Sequence, residues 1–118
     1  MANTFGEYLR QRREELRAKD PGYSVRQVAA RVRLEPSYLS KIERGEQAPP
    51  SEESIRAIAE ALGEDPDVLL ALAGKVSADL QLIIRQRPRL FADLLRELGD
   101  QPDHAVLRLV REVRDGKR

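Results

Sequence analysis

The sequence predicts an all-α protein, with a five-helix N-terminal domain over residues 1–74 and a short helical C-terminal segment over residues 75–118. Helix-capping residues and proline or glycine stops recur along the chain. Apolar residues repeat at intervals of three and four, and no segment shows the sustained alternation of a half-buried strand. With two Phe and no Trp, the core must consist of aliphatic residues, and this composition favours helix.

The first three helices each have a start signal and a stop signal. Thr4 begins a capping box for helix 1, which stops before the turn Lys19-Asp20-Pro21-Gly22, and Ser24 begins a capping box for helix 2. Pro36 opens helix 3, where its missing amide costs nothing, and Gly45 ends that helix. The residues expected to point inward are Phe5, Tyr8, Leu9, Leu16, Val25, Val28, Ala29, Val32, Leu39 and Ile42.

Helices 4 and 5 complete the predicted N-terminal domain. Ser51 caps helix 4, which ends at Gly63, and Asp65 starts helix 5, which ends at Gly74. Gly6 and the other glycines are also interpreted as residues of helix ends or loops, because none has the spacing of a phosphate-binding loop.

The C-terminal segment is expected to form three helices, over residues 78–86, 88–98 and 103–114. The last two carry apolar stripes that can close the core of the same subunit or pair with a second subunit. We favour a homodimer built from this segment. The candidate dimer residues are Leu90, Phe91, Leu94, Val106, Leu109, Val110 and Val113.

Composition excludes several kinds of site. There is no cysteine for disulfides or zinc, and the single histidine, His104, rules out a multi-histidine metal site. No nucleophile–base pair or cofactor loop is evident, so we expect no enzymatic activity, no metal and no cofactor. The longest apolar run, 68–73, is far below the roughly 20 residues of a membrane span. Since no signal-peptide pattern is found, we expect a soluble, cytoplasmic protein without a membrane partner.

Residues 24–44 have the pattern of two short helices joined by a tight turn, which is a helix-turn-helix. Ala29 is small where the two helices would cross, and Val32 and Leu34 flank the turn. Three stretches make the pattern more specific: Ser24-Val25-Arg26-Gln27-Val28-Ala29, Pro36-Ser37-Tyr38-Leu39-Ser40-Lys41-Ile42-Glu43-Arg44-Gly45, and Pro50-Ser51.

With these residues the chain resembles the phage-repressor-like (Cro/CI, or XRE) helix-turn-helix family over about residues 5–73. The resemblance implies a sequence-specific regulator of transcription, acting as a repressor, that binds double-stranded DNA with helix 36–44 in the major groove. It assigns base contacts to Pro36, Ser37 and Lys41, of which Lys41 can donate to guanine. Backbone or supporting contacts are expected from Ser24, Val25, Arg26, Arg33, Tyr38, Ser40 and Arg44.

The resemblance also places Arg13 and Glu43 where the family often has a partly buried ion pair between helices 1 and 3. The sequence departs from the family at Arg33, where a glycine is common and a left-handed backbone is strained. It departs again at Val25, where the family often has a glutamine that contacts DNA, and in the longer loop 18–23.

Charge alone gives no support for DNA binding, since the net charge is only +1. In helix 1, Arg10, Arg12, Arg13 and Arg17 alternate with acids, so we interpret them as a solvated face, with DNA contact as the less favoured alternative. The alternative function is an antitoxin or adaptor-type module that binds a protein partner with the same fold. A homodimer suits the DNA-binding function, because a twofold dimer reads two half-sites about 34 Å apart.

Overall fold

The computed structural model describes residues 4–116, and every regular element in that range is a helix. The predicted all-α fold class is therefore confirmed. The chain divides into two compact units, with the boundary between Ser77 and Ala78. The boundary predicted from the sequence lies three residues earlier, after residue 74. The helices are α1 (Phe5–Arg17), α2 (Val25–Val32), α3 (Pro36–Glu43), α4 (Glu52–Leu62), α5 (Pro66–Leu72), α6 (Ala78–Gln86), α7 (Pro88–Gly99) and α8 (Asp103–Asp115), with a short 3-10 helix (Pro21–Tyr23) between α1 and α2.

Side-chain caps determine where α1, α2, α4 and α5 begin, whereas α3 begins at Pro36 without a side-chain cap. Thr4 accepts a hydrogen bond from the Glu7 amide at 3.2 Å, and Ser24 accepts one from the Gln27 amide at 3.2 Å. Ser51 caps α4 and Asp65 caps α5 in the same way. The four predicted caps are thus confirmed, and each contributes about 1 kcal/mol to helix stability.

The core of the first unit lies among α1 to α5. Ala29 is completely buried, so its small side chain lets α2 approach its neighbours closely. Leu39 and Ile42 are each 1% exposed and anchor α3 on this core. The buried apolar residues are Phe5, Leu9, Val28, Ala29, Val32, Leu39, Ile42, Ile55, Ile58, Ala59, Leu62, Leu69 and Leu70.

Gly6 has a packing role in addition to its place in the first turn of α1. It is buried, and the backbone of α3 passes directly against it. A Cβ atom at this position would clash with the Ile42 carbonyl oxygen and lie 2.9 Å from the Glu43 carbonyl oxygen. A glycine is therefore needed for α1 and α3 to approach this closely.

The second unit differs from the first because none of its described residues, 78–116, is buried. Leu90 is 66% exposed and Val113 is 62% exposed. Leu94 and Val110 are also exposed, whereas the other three candidate dimer residues are half-buried: Phe91, Val106 and Leu109. The apolar stripes of this segment therefore remain accessible in the single chain.

Candidate nucleic-acid interface

Helices α2 and α3 are joined by a three-residue turn that contains a left-handed residue. Arg33 has φ 60° and ψ 40°, and among the described residues no other non-glycine residue has a positive φ. The Leu34 amide donates to the Ala29 carbonyl at 2.9 Å and ends α2. The strained conformation expected at Arg33 is confirmed, and it costs about 1–2 kcal/mol relative to glycine.

The outward face of α3 carries the residues predicted to contact bases. Pro36, Ser37 and Lys41 are exposed, and Tyr38 and Ser40 are half-buried. Because the opposite face of α3 is anchored in the core, these side chains are held on a rigid support. Their contacts with bases stay predictions.

The remaining predicted contact residues lie on α2, in the turn and at the end of α3. Arg26 and Arg33 are exposed, as is Arg44, while Ser24 and Val25 are half-buried at the start of α2. The Ser24 side chain already accepts the Gln27 amide, so the neighbouring amides of that first turn are the ones open to a phosphate.

Arg13 and Glu43 form a bidentate ion pair between α1 and α3. Arg13 Nε lies 2.7 Å from Glu43 Oε2, and Arg13 Nη2 lies 2.8 Å from Glu43 Oε1. The two residues are 3% and 6% exposed, and the hydrogen bond with Glu43 raises the pKa of Arg13 above its usual value. The Arg13 guanidinium places its positive charge directly against the Glu43 carboxylate, so this acid is compatible with a nearby polyanion.

The long loop before α2 is ordered by its own contacts. Asp20 accepts the Gly22 amide at 2.8 Å, and Arg13 Nη1 donates to the Tyr23 carbonyl at 3.2 Å. Arg31 donates to the Gly22 carbonyl, and its guanidinium lies 4.6 Å from the centroid of the Tyr23 ring. The extra loop length is therefore packed between α1 and α2.

Acidic residues pair with some cations of the first unit and leave others free. Arg12 pairs with Glu64 at 3.3 Å, and Arg56 pairs with Glu52 at 3.1 Å. Within residues 4–77, no hydrogen bond or ion pair involves the side chains of six cations. These positive charges can therefore contact an anion, although the net charge of the chain is near zero. These cations are Arg10, Arg17, Lys19, Arg26, Arg33 and Lys41.

A cleft of about 230 Å³ lies among α1, α2 and α3. It brings Arg10 and Arg17 of α1 together with Val25, Ser40 and Arg44. The solvated face predicted for the two α1 arginines did not include this juxtaposition. Their seven-residue spacing, close to two helical turns, is the signal that places them on one face. The other lining residues are Arg13, Glu14 and Glu43.

Arg44 lines this cleft, but its guanidinium already contacts two neighbouring side chains. Its Nε lies 2.6 Å from Glu46 Oε2, and its Nη1 donates to Ser40. The hydrogen bond between Arg44 and Glu46 raises the pKa of Arg44 and lowers the pKa of Glu46. Both groups are thus charged at neutral pH, and a phosphate has to compete with Glu46 for this guanidinium.

A helix pair joined by a tight turn, with the second helix exposed on one face and anchored on the other, defines a DNA-binding helix-turn-helix domain. Residues 4–72 match the family described as helix-turn-helix domain, which is more than half of the chain. The protein therefore belongs to this helix-turn-helix family. Comparisons with curated proteins and with solved structures gave no significant match.

The described residues, 4–116, hold neither a membrane-spanning helix nor a metal cluster. None of the helices in this range is both long and apolar enough to cross a membrane. In the same range, no group of three or more His, Cys, Asp or Glu residues is arranged to hold a metal ion.

Proposed function

We propose that the protein is a sequence-specific, double-stranded DNA-binding regulator of transcription of the phage-repressor-like (Cro/CI, XRE) kind. It has no enzymatic role, acts in the cytoplasm and represses transcription by occupying an operator. The observation that carries this proposal is the set of unpaired cations, which includes Lys41 of α3, Arg26 of α2 and Arg33 of the turn between them.

Contacts with bases and contacts with phosphates have different roles in DNA binding. Lys41 and Ser37 read base edges in the major groove, while Pro36 contacts the groove floor at the start of α3. Arg26 and Arg33 bind phosphates and give affinity for every sequence. Supporting contacts come from the first-turn amides behind Ser24 and from the side chains of Val25, Tyr38, Ser40 and Arg44.

The second unit supports a homodimer. It is near the size, about 40 residues, below which domains usually need disulfides, metals or oligomerisation, and the chain has no cysteine. Helices α7 and α8 form an apolar groove of about 370 Å³. A second copy of the chain buries this surface and aligns two reading helices on an inverted repeat. The groove is lined by Leu94, Leu98, Leu109, Val110, Val113 and Arg114.

The same groove favours a second candidate function. An antitoxin or adaptor-type module would use it to hold an apolar segment of a different protein and would not select a DNA sequence. The two functions predict different outcomes in one assay, because only the regulator selects a DNA sequence.

The assay is selection of bound sites from a random duplex pool with the full chain, followed by anisotropy measurements at two salt concentrations. The proposal predicts an inverted-repeat site bound at least about 10³-fold more tightly than random DNA. Failure to enrich any site, with only weak binding that salt abolishes, would contradict it and favour the protein-binding module.

A further inference from the structure

We propose that the cleft among α1, α2 and α3 binds a backbone phosphate of DNA, with Arg10 and Arg17 as its principal ligands. This inference rests on the proposed DNA-binding function and extends it to α1. It adds to the interface two residues that lie outside the helix-turn-helix itself.

The geometry of α1 places both arginines at the cleft. Arg10 and Arg17 lie almost two turns apart and line the same cavity, whereas Arg12 projects about 200° away from Arg10 at 100° per residue. Arg12 lies instead among Tyr8, Gln11 and Glu15. One face of α1 thus places unpaired arginines at the cleft, and Arg12, which pairs with Glu64, lies on a different face.

The electrostatics of the cleft favour an anion. Arg13 and Glu43 neutralise each other and Arg44 is paired with Glu46, which leaves Arg10 and Arg17 against the single acid Glu14. Glu14 itself lies 3.3 Å from Arg13 Nη2. Two cations against one acid give an excess of one positive charge, and neither Arg10 nor Arg17 has a hydrogen bond or ion pair among the described residues.

The position of the cleft points to DNA as the source of the phosphate. Val25 and Ser40, both predicted to lie beside the DNA backbone, form part of its lining. A duplex with α3 in its major groove brings a phosphate strand along the flank of α2 and α3. A guanidinium pair binds such a phosphate with charge-assisted hydrogen bonds, and the released counterions make the binding salt-dependent.

The test compares Arg10→Gln/Arg17→Gln with wild type on the selected site and on random duplex, by anisotropy over a salt series. Arg12→Gln is the control, because it removes one arginine charge from the opposite face of the same helix. The double variant should bind both duplexes about tenfold more weakly at low salt, and its salt slope should fall by about one for each lost phosphate. Arg12→Gln should leave both values unchanged.

Two further measurements separate folding and ligand source from the proposed contact. Glu14→Gln removes the acid of the cleft and should tighten binding to both duplexes several-fold. Loss of folding would weaken binding and therefore cannot produce this result. The NMR signals of the Arg10 and Arg17 guanidinium groups should shift with duplex DNA. Equal shifts with inorganic phosphate at the same phosphate concentration would overturn the assignment to the DNA backbone.

The outcomes distinguish this inference from the proposed function. An unchanged salt slope in Arg10→Gln/Arg17→Gln, together with a loss of site preference in Lys41→Ala, would overturn the role of the cleft and leave the regulator intact. A wild-type chain that binds no duplex would overturn both.

Discussion

The guanidinium of Arg13 and the carboxylate of Glu43 meet through two parallel hydrogen bonds of 2.7 and 2.8 Å beneath the surface of the domain. Glu43 is the last residue of α3, and Arg13 also holds the loop before α2 through the Tyr23 carbonyl. One buried side chain therefore fixes both helices of the helix-turn-helix relative to α1. The orientation of the reading helix depends on this pair.

Loss of the Glu43 carboxylate should strongly destabilise the domain. Glu43→Ala leaves the buried Arg13 charge without its partner, so we expect the free energy of unfolding to fall by about 3–5 kcal/mol in urea titrations. Glu46→Ala, which breaks the exposed pair with Arg44, is the control and should leave the free energy of unfolding almost unchanged, because solvent screens an exposed ion pair. Equal changes in the free energy of unfolding for the two variants would show that the buried pair stabilises the domain no more than the exposed pair does.

A methyl group at Gly6 should force α1 and α3 apart. The added Cβ meets the carbonyl oxygens of Ile42 and Glu43, and backbone cannot move aside as a flexible side chain does. We expect Gly6→Ala to lower the melting temperature, with a cost of about 1–3 kcal/mol for overpacking. Gly99→Ala provides the control, because the added Cβ would meet no atom of another element within 4 Å, and it should be neutral or stabilising. A Gly6→Ala protein as stable as wild type would refute the close approach of the helices.

Replacing Arg33 should separate stability from DNA binding. Arg33→Gly relieves the left-handed strain, partly offset by the entropy of the unfolded chain, so we expect a gain of up to about 1 kcal/mol in the free energy of unfolding. Removal of the cation should lower the salt slope of DNA binding by about one unit. Gly63→Ala makes the reverse change at another left-handed position and should destabilise. A less stable Arg33→Gly chain would contradict the strain argument.

A charge in the apolar groove should dissociate the proposed dimer. Val110 is 50% exposed and lines the groove between α7 and α8, so Val110→Asp should shift sedimentation from dimer to monomer. Val68, a valine of similar exposure in α5, supplies the control, and Val68→Asp should remain dimeric. A wild-type chain that sediments as a monomer at tens of micromolar would rule out the homodimer.

The features predicted from sequence are those fixed by local chemistry. The caps at Thr4, Ser24, Ser51 and Asp65 depend on residues two or three positions apart, so their spacing alone predicts the helix starts. The inward residues of α3 follow from helical periodicity. The left-handed turn at Arg33 required the family resemblance, since nothing in an arginine itself signals a positive φ.

Features that depend on distant parts of the chain were not predictable in this way. Gly6 contacts the backbone of Ile42, and no local pattern connects these two positions. The free state of Arg10 and Arg17 depends on which acids lie near them in space, such as Glu64 beside Arg12, whereas the sequence shows only an alternation of signs. The candidate base contacts of α3 stay predictions.

The most direct test of the account is a comparison of Lys41→Ala with Arg26→Ala, each measured by anisotropy on the selected site and on random duplex across a salt series. We predict that Lys41→Ala loses about 1–3 kcal/mol on the selected site alone and relaxes one base position in a repeated selection. Arg26→Ala should weaken both duplexes alike and reduce the salt slope by about one. If Lys41→Ala instead weakened both duplexes equally and selected the same site as wild type, the claim that α3 reads the base sequence would be contradicted.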